Sequence, residues 1–297
     1  MGPMTTKLRL ARARGCALAF ATVLATAAAF TAACGSETTA TAPDGGDGGD
    51  PTGPGSLGGD GGPRDGGGGD GNCAPSLVGL VRDFRGADVD GGHPDFQAYS
   101  GTNATTGLVS ATLGADRKPV FASTDGSGQN GRQLTSKADF DVWYRDTPGV
   151  NQTFPFELPL VPGPNGVLSF ASSAFFPVDG RGFGNSGLDT ADASRNFHFT
   201  FELHLRFVYR GGEVFTFTGD DDLWTFMNDR LALDLGGLHP AVNGTVDLDA
   251  RAAELGLEKG KTYPLDVFHA ERRTNASNFR IDTTLEFVNC DPILIPR

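Results

Sequence analysis

Residues 197–209 read Phe-His-Phe-Thr-Phe-Glu-Leu-His-Leu-Arg-Phe-Val-Tyr. Phe197, Phe199, Phe201, Leu203, Leu205, Phe207 and Tyr209 fall on one face of an extended chain. His198, Thr200, Glu202, His204 and Arg206 fall on the other. A helix, with its 3.6-residue period, would scatter the apolar set around its axis. The run therefore predicts a long antiparallel strand, half-buried, with a polar face turned to water. Arg210-Gly211-Gly212-Glu213 reads as a tight turn, and 214–218 as the partner strand that returns from it. Further strands are predicted at 223–228, 231–235, 263–269 and 279–288, the last again alternating through Phe279, Ile281, Thr283, Leu285 and Phe287.

The stretch 79–170 is richer in loops. Short apolar runs near Leu80, Val120, Trp143 and Val167 are separated by Gly, Pro, Asn and Asp. A helix is predicted at 136–144, where Ser136 can cap and Phe140 and Tyr144 share a face. Of the 22 phenylalanines, only Phe20 and Phe30 precede residue 73, so the aromatic core belongs to the C-terminal segment. Regular short strands with little helix predict an all-β fold, an antiparallel β-sandwich with long loops.

Three segments are predicted. Residues 1–34 carry a cationic start (Lys7, Arg9, Arg12, Arg14), an uncharged apolar run and small residues before Cys34, the pattern of an export signal. Ala32-Ala33-Cys34 is similar to a lipobox, although Thr31 stands where leucine is common. Lipidation of Cys34, simple cleavage and an uncleaved anchor all stay open. Residues 35–72 hold one large apolar residue, Leu57, and cannot bury enough surface to offset their chain entropy, so a disordered Gly/Asp-rich linker is predicted. Residues 73–297 form the folded domain. Export permits disulfides, and Cys73 with Cys290 at the two ends of this domain is the expected pair; two unrelated cysteines near flexible ends is the alternative.

With 24 Lys plus Arg against 36 Asp plus Glu, the formal net charge is −12. A nucleic-acid binder needs a basic face, so none is expected as partner. No nucleophile elbow, His-Glu-x-x-His or phosphate-binding glycine loop occurs, and no enzyme is expected. Glu202 with Glu271 could serve a glycosidase only at a defined separation. His239, His269 and Glu271 lack a zinc spacing. Thr218-Gly219-Asp220-Asp221-Asp222-Leu223-Trp224 stands out. Three adjacent carboxylates between apolar strands repel one another, a penalty that a hard cation such as calcium removes. The spacing is not that of an EF-hand, and a solvated acidic turn remains open.

The chain resembles the fibro-slime domain family. The likeness runs through His93-Pro94-Asp95-Phe96, Trp143-Tyr144, Gly149-Val150-Asn151, Phe175-Phe176-Pro177-Val178-Asp179-Gly180 and Asn196 to Glu202. It continues through Gly219 to Trp224, Asp234-Leu235-Gly236-Gly237-Leu238-His239, and Phe268 to Arg272 with Ser277-Asn278-Phe279. This family is similar to the protective-antigen-type, PA-fourteen-like, β-sandwich. The resemblance implies that fold, and a Ca2+ site in which adjacent aspartates, here Asp220 and Asp221, sometimes joined by a cis peptide, hold the ion. Asp222 would be a third ligand or solvated. The second loop would match 275–278, with Asn278 as its better metal ligand and Asn275 and Ser277 beside the ligand. Trp224, if exposed, would stack on a sugar ring. The implied function is a surface-tethered, calcium-dependent carbohydrate-binding or adhesion module, whose partner is a glycan or extracellular polysaccharide. A structural or protein-interaction module of the cell surface or matrix is the alternative.

Overall fold

The computed structural model describes residues 76–289, all within one compact unit, Arg64–Arg297. Cys34, Cys73, Cys290, the export signal and the linker lie outside the described residues. The principal elements are β1 (Ser76–Phe84), α1 (Lys137–Asp141), β2 (Asn151–Pro159), β3 (Val161–Pro162), β4 (Leu168–Ser172), β5 (Phe199–Tyr209) and β6 (Val214–Gly219). They continue with β7 (Asp222–Met227), β8 (Arg230–Leu235), β9 (Val242–Asp247), α2 (Leu248–Leu255), β10 (Lys261–Glu271), β11 (Phe279–Thr283) and β12 (Glu286–Asn289). One sheet has the order β8-β7-β10-β5-β1-β2, with β12 also on β5; the second has the order β9-β6-β11-β4-β3. Every strand pair in them is antiparallel.

The alternating run forms β5, the centre of the larger sheet. Phe199, Phe201, Leu203, Leu205, Phe207 and Tyr209 pack against Phe215 and Phe217 of β6 and Phe279 and Ile281 of β11. This is the interior of a β-sandwich, with ring pairs such as Phe175 stacked on Phe279 at 4.5 Å.

Three expectations are corrected. First, β5 is not half-solvated: Thr200, Glu202 and His204 are buried as well. The loop-rich stretch between β1 and β2 folds over the outer face and builds a second core. Its Phe96, Leu134, Phe140, Trp143 and Tyr144 pack on Trp224, Phe226 and Phe268 of the sheet. Second, 214–218 does not return as the partner of β5. Both edges of β5 are taken, by β10 along its whole length and by β1 and β12 on the other side. The chain instead turns a corner into the second sheet. Gly211 (φ 103°) and Gly212 (φ 88°) shape that corner, and the Glu213 carboxylate accepts from the amides of Arg210 and Gly211. Third, 279–288 is two strands in different sheets, β11 and β12, separated at Thr284-Leu285.

The predicted helix is present as α1. The Ser136 hydroxyl accepts from the amide of Asp139 at 3.2 Å. Helix α2 is a finding of the structure: Asp247 caps its start and Gly256, at φ 67°, its end.

Burying the polar face of β5 requires charges to be matched. Glu202 bonds Arg82 at 2.8 Å, Lys118, and His204 at 3.3 Å. His204 also meets Asp266 at 2.6 Å, and Arg117 closes on that carboxylate. Burial works against the Glu202 charge, but the His204 hydrogen bond and the charges of Arg82, His204 and Lys118 win and hold its pKa at about 2. Stability from this group is complete above its ordinary value of 4.5 and is lost as pH falls toward 2. Glu202→Gln leaves buried cations unmatched and is expected to cost about 3–5 kcal/mol at pH 7 in urea unfolding. The variant's stability should also fall less steeply than the wild type's between pH 4.5 and 2. An unchanged acid limb would show that the network contributes nothing.

Candidate functional site

The acidic triplet forms the connection from β6 to β7, where the chain crosses between the two sheets. Gly219 is required there: a Cβ would stand 2.6 Å from the carbonyl oxygen of Asn278 and 2.6 Å from the Phe217 ring. The close approach lets the 272–278 loop lie against the triplet. Asp221 takes a left-handed conformation (φ 53°), so consecutive carboxylates diverge.

The three aspartates have different environments. Asp220 accepts from the Asn278 amide at 2.5 Å and from its side-chain Nδ2 at 2.7 Å. Asp221 accepts from the Arg272 amide at 2.9 Å. Both line a cleft of about 270 Å³ with His239, Arg273, Thr274 and Asn275. Asp222 points to the opposite face of the sheet. Its carboxylate pairs with Arg272 Nε at 2.6 Å and accepts from the Gly237 amide at 2.6 Å, and both side chains of the pair are 0% exposed. Asp222 is thus the counter-ion of Arg272, neither a third ligand on the cleft nor a solvated group.

Other expected site residues separate in the same way. Asn278 lies beside Asp220, and Asn275 is exposed on the rim of the cleft. Ser277 is buried and donates to the Phe175 carbonyl at 2.8 Å, so it faces inward rather than toward a ligand. Trp224 is fully buried, donates its indole N–H to Asp234 at 2.9 Å and packs against Trp143 and Phe140. It cannot stack on a sugar. The cis peptide sits at Thr274–Asn275, on the second loop, not between Asp220 and Asp221.

Glu271 is the residue that the spacing did not place. It is fully buried on the inner face of β10, opposite Phe199, and neither carboxylate oxygen has a hydrogen-bond partner. Its neighbours include Ser277 and the charges of Asp221 and Asp220. Burial, then those two charges, push its pKa well above the ordinary carboxylate value. Burial also raises Asp220, against the bonds from Asn278. It lifts Asp221 to about 7, against the charge and amide of Arg272. Two-residue alternation from Val267 and His269 would have found Glu271 on the inner face. Glu202 lies on the outer face, opposite Phe268 in register, so the two carboxylates do not share a cleft. His269 is buried among phenylalanine rings, and both His239 ring nitrogens face backbone carbonyls. Among the described residues no three His, Cys, Asp or Glu side chains form a metal-holding group. An ion at Asp220 and Asp221 would therefore draw on amide and carbonyl oxygens too, a donor set that suits a hard cation. The buried Glu271 feels the charges of both aspartates, a repulsion that a cation held there would offset.

The PA14 domain family matches residues 176–295. That match holds β5 to β11, the acidic triplet and the 272–278 loop. Protein psiC and protein psiD of Dictyostelium discoideum are each 40% identical to this chain over 65% of its length. The chain spans about two fifths of these relatives, 38% and 39%. Solved structures with a similar architecture include the PA14 sugar-binding domain from an RTX adhesin (10% identity, TM-score 0.28, 70% of this chain and 90% of that one). An epithelial adhesin 9 A domain from Candida glabrata is also similar (14% identity, TM-score 0.26, 72% and 90%).

The division of the triplet generates a contrast. Asp222→Ala strands a fully buried guanidinium and is expected to destabilise the protein by about 3–5 kcal/mol. Asp220→Asn keeps one acceptor for Asn278 but turns an amide donor toward the other bond, and should cost less, about 1 kcal/mol in the absence of metal. Urea unfolding in chelator measures both, and equal losses in the two variants would contradict the separation of roles.

Proposed function

We propose that this chain is a fibro-slime-type, exported, non-catalytic module that binds carbohydrate through Ca2+ held at Asp220 and Asp221. The observation that carries this reading is the cleft where two crowded carboxylates gather near the buried Glu271, with an amide-bearing loop alongside. Asp220, Asp221 and the Asn278 amide would hold the ion, and a bound calcium supplies open coordination positions for vicinal hydroxyls. The chain's own contribution is positioning. The Arg272 amide and the Asn278 amide orient the carboxylates, and Gly219 brings the two loops together. Asn275 stands on the rim, exposed, where a sugar hydroxyl would meet it. A lipid at Cys34 and a Cys73–Cys290 disulfide complete the proposed cell-surface setting.

Calcium at about 100 times its Kd should add about 2.7 kcal/mol of stability, a rise in melting temperature of about 5–10 °C. That rise should vanish in Asp220→Asn. No shift in the wild type would leave the cleft without a cation role and favour a structural interaction module.

Glycan-array retention separates a lectin from a structural calcium site. Retention should disappear with chelator and in Asp220→Asn. Asn275→Ala should keep the calcium shift while losing about tenfold in glycan affinity, the worth of a well-placed hydrogen bond. Full retention in chelator would refute metal-mediated binding.

A further inference from the structure

A second cleft lies next to the first, and its chemistry differs. It has a volume of about 410 Å³ and is framed by Arg85, Asp88, Val89, Asp90, Phe183 and His198. His198 forms the deep end, 1% exposed. Its Nε2 lies 3.3 Å from Gln97 Oε1. That oxygen also accepts from the Thr274 amide at 3.3 Å, while Gln97 Nε2 donates to Thr274 Oγ1 at 3.2 Å. The backbone donor fixes which end of the Gln97 amide is oxygen, so His198 carries its proton on Nε2. Nδ1 is then a lone pair, and it has no partner. Burial lowers the His198 pKa to about 4, so the ring is neutral at physiological pH.

Asp88 stands beside that lone pair. A Cβ on Gly86 would lie 2.9 Å from His198 Nδ1 and 2.5 Å from Asp88 Oδ1, so the two atoms are at most 5.4 Å apart, the sum of those distances. Glycine at 86 keeps this gap open. Asp88 and Asp90 are both exposed. Val89, 50% exposed, and the half-buried Phe183 give an apolar wall. The Arg85 guanidinium lies over the Phe183 ring at 3.8 Å, its face stacked and its edge N–H groups in the cleft lining.

The cleft therefore offers three acceptors, one buried imidazole nitrogen and two carboxylates, with the edge of Arg85 as a donor. A ligand that both donates and accepts suits it, and the volume is that of a small molecule rather than an ion. A pyranose fits, with hydroxyl donors on its edge and C–H groups on its face. We propose that this cleft is a second, metal-independent subsite for a neutral sugar residue, in which His198 Nδ1 and Asp88 accept its hydroxyls. Gln97 bonds both His198 on the floor of this cleft and Thr274 on the rim of the first. The two subsites would thus serve neighbouring residues of one polysaccharide. The ligand class rests on the carbohydrate reading above; the acceptor geometry does not.

The test uses the full chain carrying Asp220→Asn, in EDTA, so that metal-mediated binding is silent. Saturation-transfer NMR is recorded with the methyl glycosides of glucose, galactose and mannose. Transfer to at least one glycoside is expected. Asp88→Ala, an exposed change that leaves the fold intact, should weaken it about tenfold, and His198→Phe, which keeps the ring but removes Nδ1, should abolish it. No transfer to any of the three, or transfer indifferent to both changes, overturns the subsite. So does stoichiometric Zn2+ binding that His198→Phe abolishes, because the cleft would then be an ion site. Calcium-dependent retention by the wild type, with none of this metal-free binding, would leave the first reading standing and this one refuted. EDTA-resistant, Asp88-dependent binding without any calcium effect would do the reverse.

Discussion

The Asp222–Arg272 ion pair is the contact through which the site is built. Both partners are fully buried, where a pair needs most of its remaining donors and acceptors satisfied; Arg272 Nη2 is left without a hydrogen bond. Arg272 Nη1 donates to the carbonyls of Asp95 and Gln133, and its guanidinium lies over the Trp143 ring at 4.9 Å. One residue thus clamps the sheet to the segment that covers it. Its backbone amide simultaneously holds Asp221. The orientation of the cleft carboxylates is therefore coupled to the packing of the second core, and the 272–278 loop leaves the sheet from a fixed point.

The alternating run from Phe197 was enough to place β5 at the centre of a sheet, because seven apolar residues at spacing two have only one folded solution. What the run could not show was the fate of its other face. Thr200, Glu202 and His204 read as solvated because polar side chains usually are. Their burial depends on Arg82, Lys118 and Asp266, which lie about 60 to 120 residues away in sequence. The crossing at 210–213 was opaque for a related reason. A Gly-Gly turn is the signal of a hairpin, and only the occupation of both β5 edges by β1, β10 and β12 diverts the chain into the other sheet.

The site was legible to the level of the loop, not of the side chain. Asp220, Asp221, Asn275 and Asn278 do converge, but periodicity alone separates Asp222 and Trp224 from them. As the first and third residues of β7, those two share the outer face, against Ala270 and Phe268. A run of identical charges tempts a single role for all three aspartates. A strand that begins at the third one forces two roles, since successive side chains point to opposite faces. Ser277 follows the same logic: its hydroxyl goes to Phe175, and the next residue, Asn278, turns to Asp220.

Glu271 shows what this arrangement leaves unresolved within the chain itself. Its neighbours along the chain are committed: His269 donates to the Asp222 carbonyl and Arg272 to the Asp222 carboxylate. Arg273 lines the same cleft and donates to the Tyr99 carbonyl, while the buried Arg272 guanidinium faces the outer side of the sheet. A carboxylate in such a place persists only if it holds a proton or if positive charge arrives from outside. The outer face of the sheet is electrostatically complete, with Glu202, Asp266 and Asp222 each matched by a basic side chain. The inner end, at Asp220, Asp221 and Glu271, instead gathers three buried carboxyl groups whose burial raises their affinity for a proton.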